Sequence, residues 1–85
     1  MRIVKTLDFE KRYQNLESDI KKLYILQERR FILDVRDPRL HIKKLKDIDG
    51  VFSFRITRNY RTLFYFQNPK SVVFFDIDHR KDIYR

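Results

Sequence analysis

Three apolar-alternating runs crowd the last third of the chain, Val51–Thr57, Tyr60–Gln67 and Ser71–Asp78, and they constrain the fold more than any other feature. Only Arg58-Asn59 and Asn68-Pro69-Lys70 separate them, so consecutive strands are expected to pair antiparallel as a meander. In the first run Phe52, Phe54 and Ile56 alternate with Ser53, Arg55 and Thr57, which sends the two sets to opposite faces of a sheet. One face packs, and the other presents an arginine. The second run adds Arg61, and the third delivers the chain to His79 and Arg80. As neighbours, these strands can bring Arg55, Arg61, His79, Arg80 and Tyr84 onto one small surface.

The residues before the meander read as a short strand and two helices. Ile3 and Val4 sit in an opening strand, Arg2–Lys5. Asp8 offers an N-cap to a short helix whose apolar face is Phe9, Tyr13 and Leu16 and which ends near Glu17. Ser18 offers a second cap, and Ile20, Leu23, Tyr24, Phe31 and Val35 follow a 3.6-residue repeat interrupted by Gln27. Asp37-Pro38 stops that helix, because the residue before proline avoids the α region. From Arg39 to Lys46, Leu40, Ile42 and Leu45 tie a connecting segment to the core while Lys43, Lys44 and Lys46 point outward. Gly50, the only glycine, closes the Asp47-Ile48-Asp49-Gly50 turn. The order β-α-α-β-β-β predicts an α+β domain, with a helical hairpin on one face of an antiparallel sheet and the other face open.

Composition narrows the function. Residues 1–85 make one domain, and a chain of this size buries only about 60% of its unfolded surface. Eight Phe and five Tyr, with no Ala and no Trp, must fill the core. The absence of cysteine removes disulfides and thiolate chemistry, and two His without Cys argue against structural zinc. No apolar run reaches the length of a membrane span and the N-terminus lacks a signal-peptide segment, so a cytoplasmic protein with no membrane partner is expected. Twenty Lys and Arg against twelve Asp and Glu give a net charge of +8, suited to a partner rich in phosphate or carboxylate. The excess is net +3 over residues 1–40 (ten basic, seven acidic) and net +5 over 41–85 (ten basic, five acidic), which places the partner surface on the C-terminal half.

Four features could carry chemistry. Arg39, Lys43, Lys44 and Lys46 form a stripe able to follow a phosphate backbone; a solvated face is the plain alternative. Arg55 and Arg61 lie in mid-strand among aromatics, either facing a ligand or paired with Asp76 or Asp78. His79 titrates nearest neutrality and suits general acid or base work, or simply ends a strand. Tyr84 can stack on a base or donate a proton, or close the core edge. Together they suit cleavage of RNA through its own 2′-hydroxyl, a reaction needing a base, cations on the phosphorane and a proton for the leaving oxygen. No carboxylate cluster suits two Mg²⁺ ions, so no metal site or cofactor is expected, and Asp76 and Asp78 are expected to orient neighbouring arginines.

Leu40-His41-Ile42-Lys43-Lys44-Leu45-Lys46, Phe52-Ser53-Phe54-Arg55-Ile56, Asn59-Tyr60-Arg61-Thr62-Leu63-Phe64-Tyr65 and the closing His79-Arg80-Lys81-Asp82-Ile83-Tyr84 resemble the RelE/ParE superfamily of toxins. The resemblance covers nearly the whole chain and implies the toxin of a type II toxin–antitoxin pair, and on the RelE branch a ribosome-dependent endoribonuclease of translated mRNA. By position it implies catalytic roles for Arg55, Arg61, Arg80 and Tyr84. Ser53 stands where RelE has a functional lysine, so His79 is expected to share in proton transfer. Arg39, Lys43, Lys44, Lys46, Ser53 and Arg58 form the expected RNA- or ribosome-contacting set. The resemblance also implies an antitoxin partner, expected to be acidic and partly disordered when free, alongside the ribosome and mRNA, with the free chain a monomer. With the sequence ending at Arg85, directly after the expected site, the 79–85 tail is expected to be mobile without a partner. The alternatives are a ParE-like gyrase poison, or a decayed toxin that only binds its antitoxin.

Overall fold

The computed structural model describes residues 1–83. The chain runs β1 (Arg2–Lys5), α1 (Leu7–Gln14), α2 (Ser18–Leu33), a 3₁₀ turn (Pro38–Leu40), β2 (Lys43–Lys44), β3 (Val51–Arg55), β4 (Tyr60–Asn68), β5 (Ser71–His79) and α3 (Arg80–Ile83). The five strands form one sheet in the order β1-β5-β4-β3-β2. The expected meander is β3-β4-β5, with Arg55 opposite Arg61 and Tyr60 opposite His79. The sheet as a whole is mixed, which corrects the purely antiparallel expectation. After the helical hairpin the chain re-enters at the far edge as β2, and three antiparallel steps return β5 beside β1 in parallel, from Arg2↔Ser71 to Lys5↔Phe74.

Local chemistry moved several boundaries. Thr6, rather than Asp8, caps α1: its backbone is extended and its hydroxyl accepts the Phe9 N–H at 3.1 Å. Asp8 falls in the first turn, where its charge faces the positive end of the helix dipole. The first helix stops at Gln14, because the Asn15 and Leu16 N–H groups turn to the Arg12 and Tyr13 carbonyls. Ser18 is the first residue of α2, capped by Glu17 without a side-chain bond. That helix ends at Leu33, before the proline signal: Asp34 is already extended and its carboxylate accepts the Arg36 N–H. Pro38 instead opens the 3₁₀ turn. Within the tail, Arg80–Ile83 forms a helical turn with Ile83 buried.

The core lies between the hairpin and the sheet. Phe9, Tyr24, Phe31, Phe54, Phe64 and Phe74 are all buried, with the Phe74 ring 5.3 Å from that of Phe31 and 5.4 Å from that of Phe54. Aromatic pairs at these separations add edge-to-face attraction to their burial. Tyr24, Gln27 and Phe31 form the inner face of α2. Leu23, expected on that face, is 42% exposed, because it lies about 100° around the helix from Tyr24. No described helix is long and apolar enough to cross a membrane.

Thr62 is fully buried opposite Ile77, and its hydroxyl finds no hydrogen-bond partner among the described residues. An unsatisfied buried hydroxyl costs about 1–3 kcal/mol. Thr62→Val removes the hydroxyl at nearly constant shape and is expected to raise the thermal midpoint, by roughly 4–8 °C per kcal/mol gained for a domain of this size. A lowered midpoint on thermal melting would mean the hydroxyl is satisfied in solution.

Candidate functional site on the sheet face away from the hairpin

Residues directly paired across an antiparallel ladder share a face, and two rows cross the side of the sheet away from the hairpin, which is not open as expected, since Val51, Ser53, Arg61 and Leu63 on it are all buried. One row is Lys43, Ser53 and Leu63. The next row brings Arg55 against Arg61. Arg61 in turn stands opposite Asp78 of β5, so the row reads Arg55, Arg61, Asp78.

The two arginines are held differently. Arg61 is 6% exposed; its Nε donates to Ser53 Oγ at 2.9 Å and its Nη2 to the His41 carbonyl at 2.6 Å. That carbonyl is presented by an unusual backbone, for His41 is the only described non-glycine residue with positive φ (46°). Arg55 is half-buried, and its Nε is buried without a hydrogen-bond partner among the described residues. Ser53, expected as a surface contact, is fully buried beneath this pair as the acceptor that orients Arg61.

A groove of about 650 Å³ is lined, among the described residues, by Ser53, Leu63 and Ile83 together with the 43–48 segment, which includes Asp47. Its walls are aliphatic and three of its four charged groups are cationic. Lys43, Lys44 and Lys46 are exposed, as expected, while Leu40 is buried and Ile42 and Leu45 are partly so. Arg39, grouped with them from sequence, is engaged elsewhere: its guanidinium grips Asp37 through two contacts at 2.7 and 3.0 Å. The Arg39 hydrogen bonds lower the Asp37 carboxyl to about 2, so the two charges largely cancel near neutral pH. Arg58 is exposed in the β3–β4 turn.

His79 ends β5 across from Tyr60, with the two rings 5.2 Å apart and nearly perpendicular; Tyr60 packs against the hairpin-side core, so the ladder sets His79 on the face away from Arg55 and Arg61 and does not bring it to that pair. Its Nδ1 accepts the Lys81 N–H at 3.1 Å, which starts α3. A neutral ring so engaged carries its proton on Nε2. His79 thus presents an N–H donor, and acts as a base only after releasing the helix. Arg80 is exposed, with its backbone N–H on the Asn59 carbonyl at 2.7 Å. Tyr84 lies outside the described residues.

Asp78 stands opposite Arg61 in the ladder, but the side-chain contacts of Asp76 and Asp78 go to α1. Beyond the bulge at Phe75, β5 has left β1, and Arg12 of α1 takes both carboxylates, at 3.1 Å to Asp76 and 2.8 Å to Asp78. Burial raises the Asp76 carboxyl, with the Arg12 charge acting in opposition. A folded-state pKa above the unfolded one means that the native state holds this proton more tightly; the associated stability is present at low pH and lost as pH rises through the folded value. Asp76→Asn is therefore expected to be more stable than the parent at pH 7, with the gap closing as pH falls into the carboxylate range. Thermal midpoints across pH 3–7 check this, and a variant less stable at pH 7 would show that Arg12 outweighs burial.

Sequence reasoning missed Arg12, the His41 carbonyl, the apolar groove wall at Ile48, Leu63 and Ile83, and Gln27. Gln27 alone left a signal, as a polar break in an apolar face.

No protein-family model and no curated protein sequence matches the chain. Solved structures do match along its whole length. A YoeB/ParE toxin from Agrobacterium tumefaciens superposes with a TM-score of 0.77 at 19% identity, covering 94% of this chain and 99% of that one. A chain of the RelB-RelE antitoxin-toxin complex from Methanococcus jannaschii gives 0.77 at 24% identity, covering 95% and 94%. The chain shares its fold with RelE-, YoeB- and ParE-type toxins. The isolated E. coli RelE toxin fits the same pattern, with a TM-score of 0.73 at 15% identity over 98% of this chain and 89% of that one. At these identities the RelE-like fold is what is held in common, so the chemistry of this chain rests on its own residues.

Proposed function

We propose that this protein is the toxin of a toxin–antitoxin pair and that it cleaves translated mRNA on the ribosome through the RNA 2′-hydroxyl. The observation that carries the reading is the Arg55–Arg61 cross-strand pair, with Arg61 oriented at two points. Fixed cations aimed where charge develops are the main electrostatic means of stabilising a transition state. In the proposed step the 2′-oxygen gives its proton to water and bonds to phosphorus, the bond to the 5′-oxygen breaks and that oxygen takes a proton from water, and the products are a 2′,3′-cyclic phosphate and a 5′-hydroxyl. Arg55 and Arg61 carry the phosphorane charge, and His79, set beside Tyr60 on the other face, reaches the leaving oxygen only once the end of β5 moves. Arg80 supplies further positive charge, and Tyr84 stays in the set by its place directly after the buried Ile83.

The groove supports the reading. Its lysines suit a phosphate backbone and its aliphatic wall suits a base or ribose. Because Arg61 is almost covered, and α3 buries Ile83 in the same groove as Leu63, substrate reaches Arg61 when α3 shifts. Arg55, half-buried, is the more accessible of the two. Similar solved structures are antitoxin–toxin complexes, which supports an antitoxin partner; the net charge of +8 suits one that is acidic. The site of action is then the cytoplasm.

The test is induction in growing bacteria with mapping of mRNA 5′ ends. New ends inside translated codons support the proposal. Growth arrest with intact mRNA and accumulating DNA breaks would make the protein a gyrase poison, and normal growth with intact antitoxin binding a decayed toxin.

A further inference from the structure

The inner face of α2 carries one polar residue, Gln27, 4% exposed among Tyr24 and Phe31. Burying an amide costs free energy unless each of its atoms is paired. Here each is. Nε2 donates to the Arg39 carbonyl at 2.9 Å and to the Arg55 carbonyl at 2.6 Å, and Oε1 accepts from Arg30 Nη1 at 2.8 Å. The amide orientation is dictated by its neighbours, since two carbonyls require N–H groups and a guanidinium requires an oxygen.

The two carbonyls belong to different parts of the candidate site. Arg55 ends β3, so a bond to its carbonyl fixes the backbone from which the Arg55 side chain leaves. Arg39 lies in the 3₁₀ turn that leads to His41, whose carbonyl accepts from Arg61 Nη2. One amide thus ties the backbone that carries one arginine to the backbone that orients the other.

We propose that Gln27 is a positioning residue: it sets the relative placement of the Arg55 and Arg61 guanidinium groups from the opposite side of the sheet. The proposal rests on the reading of that pair as the phosphate-stabilising centre. Gln27 touches no substrate. Its effect passes through the Arg55 carbonyl and through the turn from Arg39 to the His41 carbonyl.

The experiment compares the full chain with Gln27→Met, which keeps the length and removes both donors, on translating ribosomes in single-turnover cleavage. Misplacing a catalytic group by about 1 Å costs up to roughly 100-fold, so a drop of about tenfold to 100-fold in the cleavage rate is expected, with ribosome affinity unchanged. In an Arg61→Ala background the same change is expected to add almost nothing, because the two act as a unit. Proton–nitrogen NMR gives a readout independent of cleavage: the Arg61 Nε–H signal is expected to shift and exchange faster in Gln27→Met. Wild-type cleavage together with an unmoved Arg61 signal overturns the proposal, as does a loss that adds fully to Arg61→Ala. Should Gln27→Met not fold, Gln27→Glu keeps the size and the Arg30 contact but has no N–H to donate, and carries the same readouts. If the unaltered protein cleaves nothing, the functional reading fails while the NMR result still decides the positioning.

Discussion

Arg61→Ala is expected to lower the rate of mRNA cleavage on the ribosome by about 100-fold to 1000-fold, the usual cost of removing one preorganised donor from a charge-stabilising centre. Arg61 is fixed at two points, Ser53 Oγ and the His41 carbonyl, so its orientation is set before substrate arrives. Arg61→Lys keeps the charge but offers a single ammonium where a planar fork spans both acceptors. It is expected to recover less than about a tenth of the lost rate. Single-turnover rates on purified translating ribosomes check both variants, with circular dichroism confirming that each is folded. A rate within a factor of two of the parent in Arg61→Ala would remove the arginine pair from the chemistry.

The second large effect is on stability. Phe74 is fully buried at the centre of the aromatic core, in ring contact with Phe9, Phe31, Phe54 and Phe64. Replacing a buried Phe by Ala costs about 3–5 kcal/mol through lost transfer energy and the remaining cavity. A domain this small has on the order of 4–13 kcal/mol in total. Phe74→Ala is expected to lower the thermal midpoint by on the order of 20 °C, or to leave the chain unfolded at 37 °C. Thermal and urea melts measure it. A change of only a few degrees would mean that the ring cluster is loosely packed.

The contrast between legible and illegible features follows from range. The β3–β4–β5 meander could be read because alternation and turn residues are local, and Phe54, Phe64 and Phe74 fall on the packing side as their period demands. The same alternation placed Arg55 and Arg61 on strands, and their short connection put them in register. The parallel pairing of β1 with β5 joins residues about 70 positions apart, an arrangement no local pattern encodes. The cap at Thr6 and the stop at Leu33 turned on which of several competent polar side chains reached an N–H first. Asp76 and Asp78 were recognised as orienting partners, but their arginine is Arg12, which the docking of α1 on β5 supplies. Gln27 looked like a flaw in an amphipathic helix. It is the point where that helix grips the site.

The central claim is that the arginine pair promotes attack by the RNA 2′-hydroxyl, and the ends of the cleaved RNA report that chemistry most directly. A defined mRNA on purified translating ribosomes, incubated with the protein and analysed for terminal groups, is expected to yield a 5′-hydroxyl on one fragment and a 2′,3′-cyclic phosphate or its 3′-phosphate product on the other. Fragments bearing 5′-phosphate and 3′-hydroxyl ends, or an mRNA left whole, would contradict the account.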